Sequence, residues 1–218
     1  MNIQLKLKGM RTLKITIYLL LLAVYAFFCY LMAAITMQYI PINTDVAFLR
    51  IKQEYVTMIH YSISFFIHVF TSIFVLIAGF TQFSKTIRQK YYWIHQSSGW
   101  LYVVATLLFA APSGLIIGIY ANGGFWSRIG FCLLAVLWFI FTLVAMWRLK
   151  QKNIIAHQQW MLRSFALAMS AITLRAWKYV IVALFHPRPM DVYRVVAWLG
   201  WVLNLVIVEV YIYRKWKG

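Results

Sequence analysis

Residues 157–178 read as a membrane-crossing helix, yet they carry His157, Arg163, Ser164, Arg175 and Lys178. At about 100° per residue, His157, Met161, Ser164, Ala168, Ala171 and Arg175 fall on one stripe of such a helix. A second stripe, on the apolar run 60–83, joins Ser64, His68, Ser72, Gly79 and Gln82 within about 40° of His68. Neutral imidazole binds metals and relays protons through either ring nitrogen. A guanidinium offers five donors in a planar fork that matches carboxylates and phosphates. Both groups are costly in hydrocarbon, so they are expected to face the interior of a bundle and find partners there.

The elements that must position them follow from composition. Of 218 residues, 64% are hydrophobic and 11% charged, and the mean hydropathy is +0.77. That balance predicts an all-α polytopic membrane bundle. Six runs are long enough to cross the bilayer: about 15–36, 60–83, 96–120, 127–149, 159–184 and 193–213. The first is too long for a signal-peptide core, and no small-residue cleavage site follows it, so it reads as an uncleaved span. Pro112 is expected to kink the third run, Gly114 and Gly118 to give it a close-approach face, and Gly123-Gly124 to turn the chain tightly. Residues 1–14 form a basic arm, 1–218 one membrane domain, and 37–59 the longest loop.

Charge sets the orientation. Thirteen of the 21 basic residues gather in four clusters at helix ends: Lys6, Lys8, Arg11, Lys14; Lys85, Arg88, Lys90; Arg148, Lys150, Lys152; Arg214, Lys215, Lys217. None of these clusters contains an acid. The positive-inside rule then places both termini in the cytoplasm of a bacterial cell, with the protein in its inner membrane. The same ends would attract anionic lipid head groups. A net charge of +17 spread over membrane-flanking ends is not a nucleic-acid surface. Cys29 and Cys132 sit mid-span and read as small buried apolar residues, neither a disulfide nor a metal pair. Phosphate loops, nucleophile elbows, HExxH and CxxC are absent.

Depth groups the polar residues. His68 lies roughly 12 Å below the outer end of the second run and Arg175 roughly 13 Å below that of the fifth. They define an outer-half centre, with Ser72 and Asn204 near it. Gln82, His95, His157, Arg163 and Glu209 share an inner level, where Glu209 is the one acid placed to neutralise Arg163.

The segment from His68 to about Arg175 resembles the bacterial membrane-protein family catalogued as domain of unknown function 2306. The matching residues are His68, Gln82 and Arg88; His95, Gly99 and Tyr102; Gly123-Gly124; Trp138; and the motif from His157 through Trp160, Met161, Arg163, Ser164 and Ala166 to Arg175. Gln96 and Gln158 stand where the family pattern has arginine. The resemblance implies a helical membrane core over residues 60–184 and no established activity. Its histidine-bearing helices look like those of cytochrome b561 and ferric-reductase-like proteins, an analogy of fold alone.

Three functions compete. A cofactor such as haem b would use His68, or the pair His95 and His157, as ligands and Arg175 as a propionate partner, for membrane electron transfer. A small proton-coupled permease would use the kinked third helix and the two polar stripes. A structural accessory protein, without catalysis, would use Gln82, Arg163, Ser164, Asn204 and Glu209 only to fix helix register. Homo-oligomerisation is compatible with each.

Overall fold

Apolar runs of bilayer length become helices because only an intrasegment ladder satisfies their backbone in lipid. The computed structural model describes residues 3–216. The side chains of residues 3–11, Lys14 and Phe80 lie outside that description, and with them the basic groups of the arm and Lys217 of the tail. Five helices are long and apolar enough to span: Ile15–Met37, Ile59–Gly79, Tyr92–Ile119, Phe125–Lys150 and Pro189–Trp216. Two further helices, Ile154–Ala168 and Ser170–Phe185, pass the same test together with a 42° bend between them, and they make the count six where the pair crosses as one. The chain is a polytopic helical bundle.

Two spans depart from the simple helices expected. The fifth run, expected as one continuous helix, breaks at Met169. The carbonyl of Ala166, beside the break, accepts from Asn204 Nδ2 at 3.0 Å, and the same amide reaches Thr173 Oγ1 at 3.0 Å. A polar side chain of the sixth span thus satisfies backbone at the bend, as hydrocarbon requires. In the third span the kink expected at Pro112 takes the form of a π-helical stretch, Ala105–Ala110. Pro112 follows in the first turn of the helix Ala111–Ile119, where its missing N–H costs least.

The second to sixth spans share a core of Val75, Tyr102, Trp138, Met161, Leu167 and Trp201. Gly114 lies against the His68 ring, where a Cβ would come within 3.0 Å of Cε1. Gly118 lies against the backbone of Cys132 in the fourth span. Gly123 and Gly124 take φ of +91° and +84° in the following turn, a region that favours glycine. The cysteines are free and half-buried, more accessible than the sequence suggested. The first span is peripheral. Met32 packs with Leu76 and Ile172, and Tyr25 Oη donates to the Leu76 carbonyl at 2.5 Å, but most of the helix faces outward.

The loop after the first span folds back onto the bundle. Tyr39 and Leu49 are buried, and Lys52 is only 2% exposed. The Lys52 ammonium donates to the Tyr120 carbonyl and lies 4.9 Å from the centroid of the Tyr55 ring. Burial pushes this amine down to about 8, against a smaller upward pull from Glu54.

Candidate functional site

Two kinds of polar site are built into the bundle. The first is closed. The Trp138 indole Nε1 donates to Tyr102 Oη at 3.3 Å. Thr142 donates to the Trp138 carbonyl at 2.8 Å. With that hydrogen committed, Ser164 donates to Thr142 Oγ1 at 2.7 Å, and Tyr102 donates to Ser164 Oγ at 2.7 Å. The chain starts and ends on Trp138, and every hydroxyl donates once and accepts once. All four residues are buried. Ser164 and Tyr102 are visible in the sequence as motif residues; Thr142 carries no signal there, because one threonine in an apolar span looks like many others.

Nearby, Arg163 grips Glu209 with two parallel bonds, Nε–Oε1 at 2.5 Å and Nη2–Oε2 at 2.8 Å, and its guanidinium lies 4.6 Å from the Trp160 ring. Toward the basic edge, Gln82 Nε2 donates to the His95 carbonyl at 3.0 Å and to Ser98 Oγ at 2.6 Å. It ties the second span to the start of the third.

The second kind of site is open. His68 Nδ1 is 2.8 Å from the Ala110 carbonyl, at the end of the π stretch. A carbonyl only accepts, so Nδ1 carries the proton and Nε2 is bare in the neutral ring. His157 repeats this: its Nδ1 is 2.9 Å from the Ala145 carbonyl in the fourth span. His95 Nδ1 is buried with no partner among the described residues. It lies within electrostatic range of His157 and Arg88, so the third and fifth spans bring the two inner imidazoles to one region. The Ser72 and Thr106 hydroxyls are buried and without partners too. In the antiparallel register that sets residue 68 opposite 110, residue 72 lies opposite 106.

Arg175 Nη1 donates to the Ala171 carbonyl at 2.6 Å, one turn earlier on its own helix. Among the described residues, no other acceptor meets its remaining donors. His68 and Arg175 lie within electrostatic range of each other. Both lie deep in the bundle, yet both retain some accessible surface. Asn204 is spent on the bend of the fifth span. His60 meets Tyr120 Oη at 2.7 Å, and His186 caps a helix with left-handed backbone. Among the described residues, no group of three or more His, Cys, Asp or Glu could hold a metal ion.

A family model described as predicted membrane protein, DUF2306, matches residues 65–212, about two thirds of the chain. The matched region begins in the second span and ends in the sixth, leaving the peripheral first span outside. No curated protein and no solved structure matches the chain.

Proposed function

The chain belongs to the DUF2306 family of predicted membrane proteins, and on that premise we propose that it binds a b-type haem between His95 and His157 for membrane electron transfer. The observation that carries this reading is the condition of the two rings. His157 is fixed through Nδ1 on the Ala145 carbonyl, which leaves Nε2 bare. His95 has a buried ring nitrogen that no group among the described residues satisfies. A backbone carbonyl on the non-ligating nitrogen is how proteins orient a metal-binding imidazole. The donor set therefore fits an iron porphyrin, which when bound supplies one-electron chemistry.

The chain's own residues do the positioning. The fourth span sets the tautomer of His157, and Gln82 anchors the backbone of His95. Arg88 is the cation within reach of His95, suited to a propionate. Arg175 is eighteen residues beyond His157, roughly 27 Å along the fifth span, too far to serve a group held at the inner pair. His68 lacks a second imidazole at its own level. Expression with haem supplied should give a Soret band that His95→Ala and His157→Ala abolish and His68→Ala leaves intact. A wild type that purifies without haem absorption under those conditions overturns the proposal.

A second reading, a proton-coupled permease, draws on one specific observation. The π stretch, the bare Nε2 of His68 and the orphaned hydroxyls of Ser72 and Thr106 adjoin one another. π-helical turns concentrate at functional sites, and interrupted spans line substrate paths. Proteoliposomes holding a pH dye would then leak protons faster than vesicles carrying His68→Leu. The proposed setting for either activity is a bacterial plasma membrane with both termini cytoplasmic. The support is the acid-free basic clusters at one set of helix ends, which also favour anionic lipid neighbours.

A further inference from the structure

The protein has four acids, and each has an evident neighbour. Asp45 lies 3.9 Å from Arg50. Asp191 is paired with Arg188 at 3.0 Å and with Arg194 at 3.4 Å. Glu209 is held by Arg163. Glu54 is exposed in the outer loop beside Lys52. None is among the groups that act on Arg175, which are the phenols of Tyr193, Tyr39 and Tyr179. A guanidinium deep in a membrane bundle thus has one carbonyl acceptor and no protein counter-charge among the described residues. Such a cation is costly unless something neutralises it.

Its surroundings are donors. Tyr39 Oη accepts from the Phe48 amide at 3.2 Å and so keeps its own hydrogen to give. Tyr193 Oη meets no acceptor among the described residues, and the Lys178 ammonium lies 5.7 Å from the centre of its ring. Around Arg175 the chain places hydrogen-bond donors and positive charge, with nothing negative for them to hold. We propose that Arg175, Tyr39 and Tyr193 form an outer-half oxyanion site that takes one carboxylate or phosphate group. The planar fork of arginine matches two oxygens of such a group, and the phenols of Tyr39 and Tyr193, within electrostatic range of the guanidinium, supply further donors. The ligand is either a lipid phosphate entering from the outer leaflet or a small soluble anion. The site is independent of the haem reading, since it shares no residue with the inner histidine pair and is tested without haem.

The experiment uses full-length protein in detergent and follows thermal unfolding by tryptophan fluorescence. Potassium phosphate and potassium acetate are titrated at constant ionic strength. Nanodiscs of phosphatidylcholine with and without phosphatidylglycerol form the lipid arm. A saturable rise in melting temperature is expected with at least one probe, and Arg175→Gln should weaken the apparent affinity roughly tenfold or more, as expected for loss of a charged hydrogen-bonding partner. Tyr193→Phe keeps packing and charge and should weaken it severalfold, so the test survives misfolding of the arginine variant. A response to free phosphate or acetate assigns a soluble anion; a response to phosphatidylglycerol alone assigns a lipid head group. The proposal is overturned if no probe raises the melting temperature. It is equally overturned if both variants respond as the wild type does, or if Arg175→Gln melts at or above wild type with every probe present.

Discussion

The basic half of the bundle and the opposite half treat polar groups differently. In the basic half, Trp138, Tyr102, Ser164 and Thr142 complete one another's hydrogen bonds, and Arg163 and Glu209 neutralise each other. In the opposite half, His68 presents a bare nitrogen and Arg175 most of a guanidinium. Lipid offers no compensation to either half. A closed network fixes helix register and asks nothing of a ligand. An open one carries a desolvation cost until its bare atoms find a partner. The histidines His95 and His157 are open groups beside that closed network, as is Arg148, whose buried Nε has no partner among the described residues.

Substitutions test this division by what they cost. Ser164→Val should be the most damaging, because it strands the Tyr102 hydroxyl and overfills a fully buried site; a loss of about 3 kcal/mol is expected. Thermal or denaturant unfolding in detergent measures it, and a neutral result would mean that the ring of bonds is not what joins the third, fourth and fifth spans. Glu209→Gln leaves Arg163 without its counter-charge and should cost about 1–2 kcal/mol, tempered because the glutamate is 51% exposed. Reversal of both charges should recover part of it. Asn204→Leu bares the Ala166 carbonyl at the bend and should cost about 1 kcal/mol, in line with interhelical hydrogen bonds measured in membranes. His68→Leu should lower stability less than Ser164→Val, since one of its nitrogens has no protein partner to lose; an equal loss would dissolve the distinction between open and closed halves.

The remaining effect, a slope with pH, concerns Lys52. Its amine is pushed from 10.5 to about 8 in the folded protein. Between those values the unfolded chain holds the proton and the folded one does not, so this group makes stability rise with pH across that window. The stability thus gained is lost again as pH falls toward 8. Comparing melting curves of wild type and Lys52→Met should show the difference shifting in favour of the wild type from about pH 8 to 10.5. Parallel curves would place the ammonium in contact with water.

Periodicity and charge go a long way for this chain. Bilayer-length apolar runs can satisfy their backbone only as helices, so the bundle is written in composition. Arg163 and Glu209 share a level, and Glu209 is the one acid there, so their opposition is readable by counting residues. Their bidentate geometry is not, because it depends on the rotation of two helices about their axes. The bend at Met169 escapes a sequence reading because no proline or glycine marks it; Asn204, 38 residues away, is what makes it tolerable. Lys52 looks like an ordinary loop cation, and only the fold of that loop against Tyr120 buries it.

What the sequence by itself determined is that the chain is a polytopic helical bundle and which of its residues are too polar for lipid, since both follow from the price of transferring groups into hydrocarbon. Tertiary structure alone decided which polar groups would be satisfied. The carbonyls of Ala110, Ala145 and Ala171 that orient His68, His157 and Arg175 belong to residues with no polar side chain. Backbone acceptors are the same at every position of a sequence, and they become specific only when one helix is set against another.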